Sequence, residues 1–322
     1  MSKPIVFATR LLPEAVMVKL QEVFDLRFGA KNLPLSKPEI ITGVQEAEGM
    51  ISMLSDVIDH EVLEAAPKLK IVSNYAVGYN NIDLETAKVQ NITVTNTPGV
   101  LTETTADLAL ALLMAVARRI PEANEWVKSG QWSGWAPTEM MGTDIYGQHL
   151  GLIGMGRIAQ AVARRARGFG MRISYFSRRQ LPATLEADLD VRYLPLFEVI
   201  EKADYLSLHV PLNDSTHHLI DRKALHRMKK TAFLINTARG AVVDEAALCE
   251  ALTSAQIAGA GLDVFEAEPI ISSALLRLKN VVTLPHIGSA SLRTREKMGM
   301  IVFQNLSAVF SGKKPPNSLM VD

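Results

Sequence analysis

The segment Gly151–Ala159, which reads GLIGMGRIA, is the feature that most constrains the fold of this chain. It follows an apolar run typical of a buried strand and begins a helical pattern that continues to about Arg167. At such a strand-to-helix junction, Gly154 permits a tight turn, Gly156 permits close approach to a pyrophosphate, and the small Ala159 permits close contact between helix and strand. The free N–H groups at the start of the helix also attract phosphates. The motif therefore predicts a domain that binds a dinucleotide.

The end of the next predicted strand, Arg172–Phe176, indicates which dinucleotide is bound. A carboxylate at this point would accept hydrogen bonds from the adenine ribose hydroxyls, but the chain continues with Ser177, Arg178 and Arg179. Two guanidinium groups can bind a 2′-phosphate through charge-assisted hydrogen bonds. We therefore expect NADP(H) to be preferred and NAD(H) to be possible. The alternative interpretation is that both arginines are solvated loop residues.

Short apolar runs alternate with amphipathic stretches along most of the chain, which is typical of doubly wound α/β proteins. The strands predicted in the first third are Ile5–Ala8, Gly49–Leu54, Ile71–Asn74 and Thr93–Thr95. The strands predicted after His149 are Leu150–Ile153, Arg172–Phe176, Tyr205–His209, Ala232–Asn236, Gly261–Val264 and Val281–Leu284. Six strands complete a dinucleotide-binding sheet, so we expect the last helix, Met298–Phe310, to return to the first domain. The predicted division is a discontinuous substrate domain, residues 1–99 and 290–322, and a dinucleotide-binding domain, residues 100–289.

Composition excludes several classes of protein. The chain has 322 residues, which is long for a single core and favours two domains. Lys and Arg together number 34, as do Asp and Glu, so no net charge attracts nucleic acid. The longest apolar segment, Ala106–Val116, is about half of a membrane span and contains Asp107. The single cysteine, Cys249, fits a reducing compartment. We therefore expect a soluble, cytoplasmic protein with no nucleic-acid or membrane partner.

Three segments with catalytic types of side chain each follow a predicted strand of the second series. They are Asn236–Gly240, Asp263–Pro269 and Pro285–Ser289. Ligands of open α/β sheets bind at the C-terminal ends of the strands. Arg239 could hold a carboxylate with two parallel N–H donors, His286 could exchange a proton with substrate, and Glu268 beside that histidine would fix its tautomer. Taken singly, each has a bland alternative: a surface arginine, a solvated loop carboxylate and a packed strand-end histidine.

The combination of motifs resembles the D-isomer-specific 2-hydroxyacid dehydrogenase family over essentially the whole chain. The motifs that carry the resemblance, in the family's order and spacing, are Gly151–Ala159, Asn236–Gly240, Gly261–Pro269 and Pro285–Ala290. The resemblance implies two doubly wound parallel-sheet domains, a Rossmann cofactor domain and a smaller flavodoxin-like substrate domain, with the active site in the cleft between them. It also implies that Arg239 holds the carboxylate and carbonyl oxygen of the substrate, that His286 gives the proton, and that Glu268 supports this histidine.

The resemblance extends to residues that bind the substrate and the cofactor. Substrate contacts are implied for backbone N–H groups in the loop Ala76, Val77 and Gly78, for Leu54 and Ser55 nearby, and for Arg239, His286 and Trp135. Cofactor contacts are implied for Thr105, Gly154, Gly156, Arg157, Ile158, Pro211, Thr216, Thr237, Ala238, Arg239, Asp263, His286 and Gly288, besides Ser177, Arg178 and Arg179.

Within the family, the chain looks most like the glyoxylate and hydroxypyruvate reductases, a group that includes 2-ketogluconate reductases. The implied reaction is the NAD(P)H-dependent reduction of a small 2-oxo acid to the D-2-hydroxy acid, with His286 as general acid. Trp135 matches a tryptophan that some relatives insert into the partner subunit's active site; its alternative role is to anchor a dimer interface. Either role implies a homodimer, with much of the contact in Thr102–Gly142. His217 and His218 are adjacent, but the sequence offers no further ligand at suitable spacing, so no metal site is predicted.

Other functions stay open at the level of sequence. One is a 2-ketogluconate reductase, and another is a phosphoglycerate dehydrogenase, although the long forms of that enzyme add a C-terminal regulatory domain. A phosphite dehydrogenase would present a lysine where this chain has Val77. A dinucleotide-sensing, corepressor-like binding protein would keep the same catalytic residues, and such proteins usually carry extra terminal segments.

Overall fold

The computed structural model of the chain describes residues 2–29 and 33–320, and in these residues strands and helices alternate. The elements up to Thr95 are β1 (Ile5–Ala8), α1 (Glu14–Val23), β2 (Asp25–Phe28), α2 (Lys37–Val44), β3 (Gly49–Ser52), α3 (His60–Glu64), β4 (Ile71–Asn74), α4 (Leu84–Val89) and β5 (Thr93–Thr95). Those that follow are α5 (Thr102–Ala117), α6 (Ile120–Lys128), β6 (His149–Ile153), α7 (Arg157–Gly168), β7 (Arg172–Phe176), α8 (Ala183–Leu189), β8 (Val191–Tyr193), α9 (Leu196–Lys202), β9 (Tyr205–Leu208), α10 (Arg222–Arg227), β10 (Phe233–Asn236), α11 (Glu245–Thr253), β11 (Gly259–Leu262), α12 (Ser273–Leu276), β12 (Val281–Thr283) and α13 (Leu292–Phe310).

The chain forms two compact units, the first of which is discontinuous in sequence. It runs up to Leu101 and resumes at Ser289, and the second unit is Thr102–Gly288. The sequence predicts these divisions after residue 99 and before residue 290, two residues and one residue from those of the structure. The extreme residues of that predicted first domain, 1 and 321–322, lie outside the described residues.

The first unit is built on five parallel strands in the order β2-β1-β3-β4-β5. This is the strand order of flavodoxin-like sheets, so the predicted fold of the smaller domain is confirmed. The sequence does not predict strand β2. Charged and apolar side chains alternate along its four residues, which lie at the exposed edge of the sheet. The helix α13 packs against α1 and β4. It begins at Leu292, six residues before the predicted start, because its first turns are polar and hide the helical pattern.

The second unit contains seven parallel strands in the order β12-β11-β10-β9-β6-β7-β8. Read from the other edge, this is the Rossmann order with one strand added after the sixth. The prediction of six strands is therefore one short. The missed strand is β8, which has only three residues and lies at the edge of the sheet. After β6 the chain adds β7 and β8 on one side, and it then crosses to the other side of β6 to add β9 and the strands that follow. The order therefore reverses between the adjacent strands β6 and β9. In such sheets this is the point where ligands bind.

The longest apolar segment of the sequence is the interior helix of the second unit. It forms α5, which packs on β10, β11 and α7 and buries Ala106, Ala109, Leu112, Leu113 and other small or aliphatic residues. Its apolar character follows from contact with a sheet on one side and a helix on another. In the described part of the chain, no helix is both long enough and apolar enough to cross a membrane.

Candidate active site

The glycine turn after β6 has a backbone conformation that only glycine adopts without strain. Gly154 has a φ angle of 92°, and a Cβ atom on it would lie 2.4 Å from the carbonyl oxygen of His209. Its N–H donates to the carbonyl oxygen of Phe176 at 2.8 Å. The turn therefore fits closely between the C-terminal ends of β7 and β9.

The second glycine of the turn faces open space. Gly156 precedes the first residue of α7, and a Cβ atom built on it would meet nothing within 4 Å. Ala159, one turn into the same helix, is fully buried, which lets α7 lie close to the sheet. The free N–H groups at the start of α7 are thus bordered by room for a phosphate group.

A second feature of this unit also fits a bound nicotinamide dinucleotide. Thr237, which follows β10, has a buried hydroxyl that finds no hydrogen-bond partner among the described residues. A buried hydroxyl without a partner is costly, so such a group is suited to bind a ligand or a water molecule. Together with the open space at Gly156, it indicates that the residues present fit the cofactor that the motif predicts.

The end of β7 presents two cations and no carboxylate. The hydroxyl of Ser177 donates to the carbonyl oxygen of Arg179, which turns the chain directly after the strand. Arg178 and Arg179 are both exposed, and within the described ranges neither forms an ion pair. Their guanidinium groups are therefore available to an anionic ligand.

The predicted proton donor and its predicted carboxylate partner are in direct contact. Nδ1 of His286 lies 2.9 Å from Oε2 of Glu268, and the other carboxylate oxygen accepts the N–H of Phe265 at 3.0 Å. Burial raises the pKa of Glu268, but the hydrogen bond and charge of His286, the N–H of Phe265 and the charge of Arg239 together bring this pKa below its ordinary value. Glu268 is therefore ionised at neutral pH. Because its contact occupies Nδ1, the other ring nitrogen, Nε2, remains for a substrate.

A buried aspartate holds the segment that carries the histidine. Asp263 is 1% exposed, and its two carboxylate oxygens accept the N–H groups of Ile287 at 2.7 Å and Gly288 at 2.8 Å. Its carbonyl oxygen accepts the N–H of His286, whose φ angle of 54° lies in the left-handed region. Thr105 donates to the carbonyl oxygen of Gly288 at 3.0 Å. These contacts give Asp263 and Thr105, both predicted as cofactor contacts, a role in positioning His286.

Arg239 lies next to the loop that bears the carboxylate. A Cβ atom on the following residue, Gly240, would be only 1.8 Å from the carbonyl carbon of Phe265, so the two backbones are in close contact. Asn236 donates from its amide to the carbonyl oxygen of Arg239 at 2.9 Å and fixes this turn. Burial lowers the pKa of Arg239, and the charge of Glu268 opposes that change. The structure thus brings Arg239, Glu268 and His286 together at the C-terminal edge of the sheet of the second unit.

The other predicted cofactor residues of this unit follow the same strand ends. Arg157 and Ile158 form the first turn of α7. The hydroxyl of Thr216 donates to the carbonyl oxygen of Pro211 at 2.6 Å, which closes the loop after β9. The N–H of Ala238 donates to the side chain of Asn236 at 3.0 Å.

In the first unit, the predicted substrate loop after β4 is held by its carbonyl groups. The carbonyl oxygens of Ala76, Val77 and Gly78 accept hydrogen bonds from the N–H of Thr97 at 2.9 Å and from the side chains of Asn96 and Asn74, each at 2.8 Å. In a trans peptide the N–H points away from the preceding carbonyl. The N–H groups of Val77 and Gly78 are therefore directed away from these anchors. Leu54 and Ser55 lie in the turn after β3.

The adjacent histidines His217 and His218 lie close to a carboxylate that is distant from them in the sequence. The rings of His217 and His218 are stacked with centroids 4.0 Å apart, and Nε2 of His218 lies 2.7 Å from Oε1 of Glu266. One ligand atom from each of the three residues lies within 4.8 Å of the others. The hydrogen bond accounts for the contact between His218 and Glu266 without an ion.

Comparison with known proteins agrees with the motifs. Residues 110–288 match the family model described as the NAD-binding domain of D-isomer-specific 2-hydroxyacid dehydrogenases. A glyoxylate reductase from Korarchaeum cryptofilum is 53% identical over 98% of this chain and 95% of its own, and one from Thermococcus litoralis is 47% identical over 99% and 98%.

A solved structure also covers nearly the whole chain. It is an NADPH-dependent glyoxylate/hydroxypyruvate reductase from Sinorhizobium meliloti, in complex with NADP and malonate. It is 35% identical, has a TM-score of 0.87, and the match covers 99% of this chain and 97% of that one. On its motifs, its two parallel sheets and these relatives, the chain belongs to the D-isomer-specific 2-hydroxyacid dehydrogenase family.

Proposed function

We propose that this protein reduces small 2-oxo acids, glyoxylate and hydroxypyruvate, to the corresponding D-2-hydroxy acids. The observation that carries the proposal is the contact between His286 and Glu268 beside Arg239, because it combines a proton donor with a cation for the substrate. Its support includes relatives named glyoxylate reductase that are 53% and 47% identical over almost the full chain.

Each of the three residues has a separate chemical task in this proposal. Arg239 binds the carboxylate and carbonyl oxygen of the substrate, since its planar group offers parallel donors. A reduced nicotinamide held by the turn at Gly154 and Gly156 and by Thr237 would supply the hydride that the carbonyl carbon accepts. His286 donates its Nε2 proton to the oxygen on which negative charge develops. Glu268 holds the opposite nitrogen and stabilises the protonated ring.

The first unit contributes backbone donors in this proposal. The N–H groups of Val77 and Gly78 point away from the anchored carbonyl side of their loop, and we assign them to the substrate carboxylate. Leu54 and Ser55 contact the remainder of the substrate.

For the cofactor we propose a preference for NADP(H) over NAD(H). The support is that Ser177, Arg178 and Arg179 supply a hydroxyl and two exposed guanidinium groups where a carboxylate would favour NAD(H). The Sinorhizobium meliloti relative is NADPH-dependent.

We also propose a homodimer formed through the Thr102–Gly142 region. Large apolar side chains in and just after this region are exposed, namely Ile120, Val127, Trp132, Trp135, Met141 and Tyr146. Such a concentration on one stretch is typical of an interface. Trp135, at 84% exposed, is the residue that we expect to reach the partner's substrate site. The single cysteine supports a location in the reducing cytoplasm.

Steady-state kinetics on the purified protein test the reaction. We expect turnover of glyoxylate and hydroxypyruvate on the order of 1 s⁻¹ or faster with NADPH. His286→Ala should lower kcat by about 100-fold or more, as expected for a lost general acid. Arg239→Ala should lower kcat/KM by a similar factor while the Kd of NADPH, measured by fluorescence titration, stays nearly constant. His226→Ala, at an exposed histidine of α10, is the matched control and should leave kcat unchanged.

Two outcomes would contradict the proposal. Turnover of every small 2-oxo acid, 2-ketogluconate included, below about one per minute would favour a dinucleotide-sensing binding protein. Loss of NADPH affinity in Arg239→Ala, without a selective loss of substrate use, would show that Arg239 serves the cofactor instead.

A further inference from the structure

A cavity of about 410 Å³ lies within the first unit, at the C-terminal ends of β1, β3 and β4. Leu54 and Ser55, which the proposed function assigns to the substrate, line it. Its wall also includes Arg10, Tyr75 and Arg295. A cavity of this size accommodates much more than glyoxylate, a two-carbon acid, because pockets of about 300 Å³ already hold drug-sized ligands.

Arg10 is held in the wall of this cavity by the end of β1. Its side chain is 14% exposed, and one guanidinium nitrogen donates to the carbonyl oxygen of Thr9 at 2.7 Å. The other terminal nitrogen lies 3.8 Å from Asp56, which is a long ion pair. The carboxylate of Asp56 also accepts hydrogen bonds from the hydroxyl of Thr9 and from the N–H of Met53. Asp56 therefore neutralises Arg10 only in part.

The second cation comes from the other end of the chain. Arg295 lies in the first turns of α13, and the hydroxyl of Tyr75 donates to its carbonyl oxygen, which ties the helix to β4. Its side chain is half-buried, and in residues 2–29 and 33–320 it has no ion-pair partner. No carboxylate is among the described residues that line the cavity. The two guanidinium groups thus give this wall a net positive charge.

We propose that this cavity binds the far end of the substrate and that Arg10 and Arg295 select 2-oxo acids whose far end is anionic. The inference rests on the proposed function, because the substrate reaches the cavity through its contacts with Leu54 and Ser55. The shared chemistry is a second anion, either a carboxylate or a phosphate. A half-buried arginine without an ion-pair partner binds either group strongly, since hydrogen bonds between charged groups are stronger than those between neutral groups.

Matched substrates separate charge from size. Oxaloacetate and 4-methyl-2-oxopentanoate have nearly the same shape, but the first ends in a carboxylate and the second in two methyl groups. We expect the wild-type enzyme to favour oxaloacetate in kcat/KM, and Arg295→Met to lower this preference by about tenfold or more. Arg295→Lys keeps the charge and should restore much of it. The pair of 3-phosphohydroxypyruvate and hydroxypyruvate tests a phosphate in the same way, with a difference in size as well as in charge.

A neighbouring arginine provides the control. Arg293→Met changes an exposed residue of the same helix that does not line the cavity, and it should leave both preferences unchanged. Arg10→Met provides a second test should Arg295→Met unfold, as judged by Tm.

The outcomes separate the subsite from the reaction. If the wild-type enzyme reduces glyoxylate but shows no preference for either dianion, or if neither Arg295→Met nor Arg10→Met changes that preference, the subsite is refuted while the proposed function stands. If it reduces no 2-oxo acid at all, the proposed function itself fails.

Discussion

Replacing Glu268 by glutamine tests how far the carboxylate controls proton donation. The amide oxygen of glutamine can still accept from Nδ1 of His286 and keep the ring oriented, while the negative charge and the hydrogen bond from the N–H of Phe265 are lost. His286 donates a proton in reduction, and the charge of Glu268 stabilises the ring that carries this proton. Without the charge, we expect kcat to fall.

The size of the effect follows from the geometry. The contact is 2.9 Å, and the side chains of His286 and Glu268 are 22% and 30% exposed. A hydrogen bond to a charged group contributes about 1.5–3 kcal/mol and a neutral one about 0.5–1.5 kcal/mol, and partial exposure to water favours the lower end. We therefore expect kcat to fall by about tenfold, which is about 1.4 kcal/mol of lost transition-state stabilisation.

The assay is kcat for glyoxylate at saturating NADPH and neutral pH, measured for the wild-type enzyme and for Glu268→Gln. Glu266→Gln is a matched control, because Glu266 lies two residues away and contacts His218 instead of His286. An unchanged kcat in Glu268→Gln, or an equal fall in Glu266→Gln, would refute the reasoning.

Two further predictions concern the cofactor. In the double variant Ser177→Asp with Arg178→Ala, the ratio of kcat/KM for NADPH to that for NADH should fall by about tenfold or more, because a carboxylate replaces a cation at the ribose. Arg172→Ala, at the opposite end of β7, should leave this ratio unchanged. An unchanged ratio in the double variant would exclude a role of Ser177 and Arg178 in binding the 2′-phosphate. Gly154→Ala should destabilise the fold by about 1–3 kcal/mol, seen as a lower Tm, since its Cβ would meet a backbone oxygen at positive φ. Gly156→Ala should leave Tm nearly unchanged but weaken NADPH binding, since its Cβ would enter open space beside α7. If Gly154→Ala and Gly156→Ala lowered Tm equally, the structural difference between the two glycines would be contradicted.

How much of the fold could be predicted depends on where each strand lies. Interior strands such as β6 and β9 are buried along nearly their whole length, so they read as continuous apolar runs. The edge strands β2 and β8 expose part of their residues and contain an arginine between apolar residues, so no apolar run marks them. The edge strands β5 and β12 are as short but contain no charged residue, and the sequence predicts both. The start of α13 was missed for a related reason, because its first turns carry Arg293, Arg295 and other polar residues.

The site divides in a similar way. Arg239, Glu268 and His286 each follow a strand that the sequence predicts, so their meeting at one edge of the sheet could be predicted. The hydrogen bonds of Asp263 to the backbone after His286 could not, because backbone N–H groups carry no sequence signal. The cavity that Arg10 and Arg295 line could not be predicted either, because these residues come from opposite ends of the chain and meet only through the packing of α13.

The two carboxylates around His286 have opposite effects on stability, and the difference explains their roles. Burial raises the pKa of Asp263 above its ordinary value despite two backbone donors, so its contribution to stability is greatest at low pH and is lost as the pH rises through that pKa. The pKa of Glu268 is lowered, so its contribution is present at neutral pH and is lost as the pH falls. The charged form of Asp263 therefore opposes folding, and an apolar residue in its place would cost less. What Asp263 provides is geometry, since it fixes two successive N–H groups and with them the direction of His286. The ring of His286 is therefore already positioned when Glu268 acts on it. At neutral pH the charge of Glu268 supports both proton donation by His286 and the stability of the fold.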